Sequence, residues 1–214
     1  MPLTLHHKFQ DGAGLAVWRY DEEEDFFAEK IRFNDYDKEQ LSAISHPSKR
    51  REWLASRYLV RFLIDIPEPI QLEKDPFGKP RLVNVPGFMS LSHCKDYAAA
   101  IYHPLKRVGV DVEPFAPTVL KIAQKFLFPH ELEALEEETK LQSLLIYWSA
   151  KETLYKMHGE KGLAFRERIL IDPFEPDAAG MLHGKVTEYP EMDSVDIHYE
   201  AHDWGYLTWA ILNE

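Results

Sequence analysis

The sequence has little cysteine and no long apolar segment. Cys94 is the only cysteine among the 214 residues, which excludes an intramolecular disulfide. The longest apolar runs fall far short of the ~18–20 residues that a membrane-spanning helix requires, and residues 1–8 lack the apolar core of a signal peptide. Together these features predict a protein of the reducing cytoplasm without a membrane partner.

Positive charge is also scarce. The chain has 25 lysine and arginine residues against 36 aspartate and glutamate residues, which gives a formal net charge of −11. Because non-specific binding to nucleic acid requires clustered positive charge, this balance disfavours a nucleic-acid partner. The length and the 45% hydrophobic content fit one large domain or two intimately packed small domains.

Strand and helix patterns occur in both halves of the chain, with hairpin-like runs of strands. Strands are predicted near residues 3–9, 13–20, 81–85, 88–92, 97–103, 107–113, 165–171, 181–187, 194–200 and 204–212. Helices are predicted near residues 22–31, 37–44, 45–64, 117–126, 129–137 and 140–158, with a capping box of Thr139 and Gln142 on the last. This order favours an α+β fold of two subdomains, 1–104 and 105–214, over a doubly wound parallel sheet.

One strand segment alternates valine with acidic residues. Val108, Val110 and Val112 fall on one face of the predicted strand, and Asp111 and Glu113 fall on the other. Side chains two apart on a strand point the same way, about 6–7 Å apart. The pattern predicts a carboxylate pair at the edge of a core, although acidic residues on the outer face of a strand are also ordinary.

A helical segment supplies a third carboxylate. Trp148, Glu152 and Lys156 recur every four residues and therefore share one face of the predicted helix. Three carboxylates with one lysine would suit a hard cation and a diphosphate, because Mg²⁺ prefers oxygen ligands and is often shared with phosphates. The alternative for Glu152 and Lys156 is a surface ion pair of the i,i+4 type.

These segments, taken with others, resemble the 4′-phosphopantetheinyl transferases of the longer class, which activates peptide and polyketide synthases. The resemblance runs from the arginine-rich helix near residue 50 through Phe77-Gly78-Lys79-Pro80 and Ser90-Leu91-Ser92-His93 to the two carboxylate segments and Lys161-Gly162-Leu163. No single motif is specific, but the ordered set is. The resemblance implies two similar α/β subdomains, related by a pseudo-two-fold axis, with a coenzyme cleft between them.

The resemblance implies a Mg²⁺-dependent enzyme that transfers 4′-phosphopantetheine from coenzyme A to a serine of an acyl or peptidyl carrier protein. The metal ligands would be Asp111, Glu113 and Glu152, and Lys156 would bind the diphosphate. Glu152 is a candidate for the base that takes the serine proton, but it fits the role of a ligand alone equally well. Asp111 could also be the base, and the sequence does not separate these roles; Glu131 ranks below Glu152 as an additional ligand or base. Lys151 also matches the motif and is equally well explained as a structural residue.

Coenzyme A would be bound by a further set of residues. The resemblance implies that Lys79, Ser92 and His93 bind the 3′-phosphate and ribose end, and that Lys49, Arg50 and Arg57 approach the coenzyme. Arg50, Arg57 and Arg61 lie on one helical stripe, which is also typical of a solvated basic face. Thr153 departs from the small residue that usually follows the Lys-Glu pair.

Two other functions are compatible with these residues. One is a metal-dependent hydrolase of the coenzyme A diphosphate, and the other is a non-catalytic coenzyme-A-binding protein. The transferase would act as a monomer on an acidic carrier, so a local basic patch must offset the net charge. Lys121 and Lys125, four apart on a predicted helix with Phe115, Val119 and Ile122 nearby, form one candidate patch; the alternative is an ordinary amphipathic helix.

Overall fold

The protein is described by a computed structural model that covers residues 3–76 and 78–213. The chain forms two compact units, Met1–Val108 (unit 1) and Gly109–Glu214 (unit 2). Each unit combines a β-sheet with helices, which confirms the α+β class. None of the helices in the described ranges has the length and apolar character needed to cross a membrane.

Unit 1 contains a four-stranded sheet with three helices and a short hairpin. In chain order its elements are β1 (Leu3–Lys8), β2 (Gly14–Arg19), α1 (Glu24–Lys30), α2 (Asp35–Ala43), α3 (Pro47–Leu63), β3 (Leu72–Lys74), β4 (Pro80–Leu82), β5 (Phe88–Cys94) and β6 (Tyr97–His103). The sheet order is β1-β2-β6-β5, and each neighbouring pair is antiparallel. The apolar side of α3, with Leu54 and Leu59 buried, packs on Ala98 and Ala100 of β6.

Unit 2 contains a five-stranded sheet against which one long helix packs. In chain order its elements are β7 (Val108–Pro114), α4 (Val119–Phe126), α5 (Pro129–Glu133), α6 (Lys140–His158), α7 (Phe165–Arg168), β8 (Ile169–Ile171), β9 (Ala179–Val186), β10 (Val195–His202) and β11 (Gly205–Ile211). The sheet order is β7-β11-β10-β9-β8. Helix α6 is buried along most of its length and ends at Gly159, whose φ of 84° suits glycine.

Most elements lie where the sequence pattern predicts them, with three differences. The predicted strand at 165–171 begins as the helical turn α7, because Phe165 packs its ring on Trp148 and Tyr155 of α6. The strand β3 was not predicted, since three residues are too few for a periodic pattern. The capping box of Thr139 does not form, because its side chain makes no hydrogen bond to the helix start.

The connection between the units is held at its start by unit 1. Unit 1 runs to Val108 and unit 2 begins at Gly109, while the division into subdomains 1–104 and 105–214 stays a prediction. The Nδ1 of the buried His103 accepts hydrogen bonds from the backbone N–H groups of Leu105 and Lys106 at 2.9 and 3.0 Å. Its Nε2 lies 3.1 Å from Asp11. The first residues of the connection are thereby attached to unit 1.

Strand β7 lies very close to helix α6 at one point. A Cβ atom added at Gly109 would lie 2.2 Å from the backbone oxygen of Thr153. Only glycine permits this approach, because any other side chain would collide with the helix backbone. The glycine therefore sets the distance between the strand and the helix that carry the predicted carboxylates.

Candidate functional site

The site in unit 2 is centred on Asp111. The residue is buried, and both of its carboxylate oxygens accept hydrogen bonds from α6. Lys156 Nζ lies 2.6 Å from Oδ1, and Ser149 Oγ donates to Oδ2 at 2.8 Å. The strand motif and the helix motif of the sequence are therefore in direct contact.

Glu113 and Glu152 lie close enough to Asp111 to feel its charge. Burial is the main cause that raises the pKa of Glu113 to about 7; the negative charge of Asp111 adds to the rise, and that of Glu152 contributes less. The pKa of Glu152 is also raised, first by burial and then by Asp111. A hydrogen bond from Trp148 partly offsets the rise in the pKa of Glu113. The positive charge of Lys156 partly offsets the rise for both glutamates. The three predicted carboxylates thus form one cluster.

The cluster is not arranged as a finished metal site. Within residues 3–76 and 78–213, no group of three His, Cys, Asp or Glu side chains is placed so that it could hold a metal ion. Lys156 instead supplies the positive charge next to Asp111. Lys156 was predicted to meet a diphosphate or to pair with Glu152; its direct partner in the structure is Asp111.

Lys151 is fully buried and points away from this cluster into the core of unit 2. Its Nζ lies 2.7 Å from Glu131 Oε2 and donates to the backbone oxygens of Phe126 and Ile169 at 2.9 and 2.7 Å. All three ammonium hydrogens therefore have acceptors. Burial lowers the pKa of Lys151, and Glu131 opposes that effect. The geometry makes Lys151 a structural residue.

Glu131 is fixed in the same way. One oxygen accepts a hydrogen bond from the backbone N–H of Phe128 at 2.7 Å, and the other accepts from Ile171 at 2.8 Å. The side chain is 0% exposed. Glu131 thus ties α5 to β8 inside the core, and this geometry gives no support to its predicted role as an additional base or ligand.

Unit 1 holds an open cavity of about 740 Å³ that is lined partly by basic side chains. Lys49, Arg51, His93 and Lys95 line it, together with Glu52. Glu52 lies 2.6 Å from His93 Nε2 and 2.9 Å from Lys49 Nζ. His93 and Lys49, two residues that the resemblance assigns to coenzyme A, therefore share the carboxylate of Glu52 at the wall of this cavity.

Arg50 and Arg57 make contacts inside unit 1 rather than lining this cavity. Arg50 Nε lies 2.9 Å from Glu24, and its Nη1 donates to the backbone oxygen of Leu41 at 2.6 Å. Arg57 lies over the ring of Trp53 at 4.5 Å, and its Nε is 3.4 Å from the buried Asp37. These contacts explain both guanidinium groups as parts of the fold, so their contact with coenzyme A stays a prediction.

Lys79 and Ser92 complete the predicted coenzyme residues. Lys79 follows a turn in which Gly78 N–H donates to the backbone oxygen of Asp75 at 2.9 Å; Phe77 of the quoted motif lies outside the described residues. Burial and the positive charge of Arg107 lower the pKa of Lys79 to about 8. Ser92 is buried on β5. Arg107 was not singled out in the sequence, because an isolated arginine before a strand carries no pattern.

The predicted basic patch on α4 is exposed in part. Lys121 and Lys125 are exposed, and Phe115 and Leu120 show 52% and 44% of their surface to solvent. Val119 was predicted to belong to the apolar contact, but it is buried in the core of unit 2. The helix begins at Val119, two residues later than predicted, and Leu120 is its exposed apolar residue next to Lys121.

Comparison with known proteins shows which family the chain resembles. The sequence model of the 4′-phosphopantetheinyl transferase superfamily matches residues 107–208, which include the whole carboxylate cluster. A Synechocystis sp. protein provisionally named a 4′-phosphopantetheinyl transferase is 26% identical over 181 residues, which cover 74% of this chain and 73% of the relative. The 4′-phosphopantetheinyl transferase HetI of Nostoc sp. is 29% identical over 146 residues, or 61% of each chain.

A third relative matches over a shorter range. The 4′-phosphopantetheinyl transferase Gsp of Aneurinibacillus migulanus is 29% identical over 114 residues, which cover 51% of this chain and 46% of Gsp. The matched part therefore spans less than two thirds of HetI and less than half of Gsp. The chain is therefore similar to the 4′-phosphopantetheinyl transferases, over residues 107–208 for the superfamily model and over up to 181 residues for these relatives.

The raised pKa of Glu113 predicts a pH-dependent stability difference. In the folded protein the pKa is about 7 against an ordinary 4.5, so the destabilisation by Glu113 builds up as the pH rises from 4.5 to 7 and is fully present above 7. In metal-free buffer, Glu113→Gln should therefore gain stability over the wild type between pH 5 and pH 8, on the order of 1–2 kcal/mol. Urea unfolding at both pH values measures the gain.

The control for this measurement is Glu133→Gln on α5, where the glutamate is exposed. The change in the free energy of unfolding that this variant causes should be small and nearly the same at pH 5 and at pH 8. A Glu113→Gln variant that gained no more than Glu133→Gln at pH 8 would show that Glu113 is not crowded by its neighbours.

Proposed function

We propose that the protein transfers 4′-phosphopantetheine from coenzyme A to a serine of an acyl or peptidyl carrier protein, with Mg²⁺ as cofactor. One observation carries the proposal most directly: Asp111 contacts Lys156 at 2.6 Å beside two further carboxylates whose pKa values are raised by burial and then by the charge of Asp111. The match of residues 107–208 to the superfamily model, together with relatives named 4′-phosphopantetheinyl transferases, supports the reaction class. The carrier, the metal and the coenzyme contacts are the additional content of the proposal.

The donor set of the cluster suits Mg²⁺. Asp111, Glu113 and Glu152 provide only carboxylate oxygens, which this cation prefers. Burial is the main cause of the raised pKa of Glu113, and the repulsion from Asp111 that adds to it is the kind of charge crowding that a bound divalent cation relieves. These three residues would hold the ion, and a bound Mg²⁺ would neutralise charge on the phosphate oxygens of the coenzyme.

The remaining side chains divide the other tasks. Lys156 carries a positive charge beside the cluster, with a quarter of its side chain exposed, and would contact a diphosphate oxygen. Both oxygens of Asp111 already accept hydrogen bonds from Lys156 and Ser149. Glu152 is therefore the better candidate for the base that receives the proton of the carrier serine.

In unit 1, we assign binding of the 3′-phosphate and ribose end to Lys79, Ser92 and His93, with Lys49 close by. His93 and Lys49 are 45% and 61% exposed and line the cavity described above, so a phosphate could reach both. Lys79 lies near Arg107, and two cations in proximity favour an anion between or beside them. A monomer working in the cytoplasm completes the proposal, since one chain carries both sets of residues.

One assay separates this proposal from its two rivals. The protein is incubated with coenzyme A, Mg²⁺ and an apo carrier protein, and the carrier is weighed by mass spectrometry. A mass gain of one phosphopantetheine arm supports the transferase. Release of free phosphopantetheine without carrier supports a hydrolase of the diphosphate, and absence of turnover supports a coenzyme-binding protein.

Replacement of Asp111 should abolish transfer in this assay. Asp111→Ala removes the residue that joins β7 to Lys156, and we expect a loss of at least about a hundredfold in kcat/KM. Asp193→Ala, an exposed aspartate of the same unit, is the control and should keep full activity. Near-normal turnover of a folded Asp111→Ala variant at limiting Mg²⁺ would refute the assignment of the cluster.

Replacement of His93 or Lys79 should weaken coenzyme binding in a way that depends on the 3′-phosphate. A charge-assisted hydrogen bond contributes roughly 1.5–3 kcal/mol, so the KM for coenzyme A should rise about 10- to 100-fold. With 3′-dephospho-coenzyme A the same variants should lose much less. Lys38→Ala on α2 is the control, and an equal loss with both coenzymes would contradict the assignment.

Charge reversal on α4 should affect the carrier and leave the coenzyme unaffected. The double variant Lys121→Glu/Lys125→Glu should raise the KM for the carrier about 3- to 10-fold at low ionic strength, because steering by exposed charges is screened by salt. Its KM for coenzyme A should not change.

The control for α4 carries the same charge change elsewhere. Lys8→Glu/Lys185→Glu alters two exposed lysines on other elements and should leave the carrier KM near that of the wild type. If both double variants raised the carrier KM equally, only net charge would matter, and the docking surface would lie away from α4.

A further inference from the structure

Three buried hydroxyl groups form a continuous chain that ends on Asp111. Thr153 Oγ1 lies 2.6 Å from Thr208 Oγ1, and Thr208 Oγ1 lies 2.9 Å from Ser149 Oγ. Ser149 Oγ then donates to Asp111 Oδ2 at 2.8 Å. The exposures of the three hydroxyl residues are all 0%, so water does not complete these bonds.

The direction of the hydrogen bonds in this chain follows from the number of protons. Each hydroxyl has one hydrogen to donate, and an ionised carboxylate can only accept. Because the Ser149 hydrogen goes to Asp111, the Thr208 hydrogen is directed at Ser149, where Oγ and the backbone oxygen lie at 2.9 and 3.0 Å. The Thr153 hydrogen is directed in turn at Thr208. Ser149 is therefore the hydroxyl that contacts the carboxylate, and Thr208 and Thr153 form the hydrogen-bonded chain behind it.

Packing alone does not account for these hydroxyls. Valine has nearly the shape of threonine and would fill the same space between α6 and β11 without a buried polar atom. Hydroxyl groups in a dry interior are costly unless their hydrogen bonds are made, and a chain in which each bond polarises the next is correspondingly strong. The chain contacts the carboxylate on the oxygen opposite to Lys156.

We propose that Thr208 and Thr153 are positioning residues, which act through Ser149 to fix the orientation of the Asp111 carboxylate. With Oδ2 held by the hydroxyl chain, Oδ1 is kept on the side of Lys156. The inference rests on the proposed function, in which Asp111 is a metal ligand. Neither threonine touches the substrate or the ion in this proposal.

The test removes one hydroxyl at constant shape. Thr208→Val should weaken binding of Mn²⁺ about tenfold, the lower end of the range for partners that orient metal ligands. Free Mn²⁺ is counted by electron paramagnetic resonance during titration of the protein with coenzyme A present. The KM for Mg²⁺ in the carrier assay should rise by the same factor, with the KM for coenzyme A unchanged.

Three further variants make the result decisive. Thr208→Ser retains the hydroxyl and should restore Mn²⁺ affinity to near the wild-type value. Thr153→Val, at the far end of the chain, should give a smaller loss and decides the matter if Thr208→Val does not fold. Asp111→Ala is the reference variant without the proposed ligand, and it should no longer bind Mn²⁺.

The outcomes separate this inference from the proposed function. If Thr208→Val and Thr153→Val are folded and bind Mn²⁺ as the wild type does, while Asp111→Ala has lost binding, the hydroxyls are structural only and the inference is wrong. If Asp111→Ala also keeps wild-type Mn²⁺ affinity, the metal assignment itself fails and the inference fails with it. A loss in the valine variants that serine restores supports both.

Discussion

The close approach of β7 to α6 is the constraint on which the unit 2 site depends. At Gly109 the strand lies so near the helix that an added Cβ would meet the Thr153 backbone oxygen at 2.2 Å. Two residues further along the strand, Asp111 reaches Ser149 one turn before Thr153 and Lys156 one turn after it. A side chain at position 109 would separate strand and helix, and both short hydrogen bonds of Asp111 would lengthen together.

The helix is held in this position by a second interaction on another of its faces. Lys151 and Glu131 form a fully buried ion pair, and removing one partner of such a pair typically costs about 3–5 kcal/mol. Successive residues of a helix point about 100° apart, so Lys151 faces the core while Glu152 faces the carboxylate cluster. The adjacent lysine and glutamate of the sequence therefore lie in different surroundings, Lys151 in the core and Glu152 in the carboxylate cluster.

The sequence predicts the parts of this arrangement that repeat with a period. Alternation along β7 places Asp111 and Glu113 on one face of the strand, and the four-residue spacing on α6 places Glu152 and Lys156 on one face of the helix. In the structure these two faces lie close together. A periodic pattern does not predict that Lys156 pairs with Asp111, because Asp111 lies on a strand 45 residues earlier in the chain. Ser149 and Thr208 are 59 residues apart, and a single hydroxyl residue in an apolar segment forms no pattern.

The basic residues of unit 1 show why a shared helical face does not establish a shared function. Spacing places Arg50 and Arg57 on one stripe of α3, yet Arg57 is held against Asp37 with only 10% of its side chain exposed. Breaking such a buried contact to bind a phosphate would leave a carboxylate without its partner, which is costly.

His93 and Lys49 are in the opposite situation. Their common partner Glu52 sits at the wall of an open cavity, and exposed ion pairs contribute only about 0–1 kcal/mol. In the proposed function, a coenzyme phosphate with more charge than one carboxylate would take the place of Glu52 at little cost to the fold. Burial, which spacing does not reveal, therefore separates the cations that stabilise unit 1 from those that remain available to a ligand.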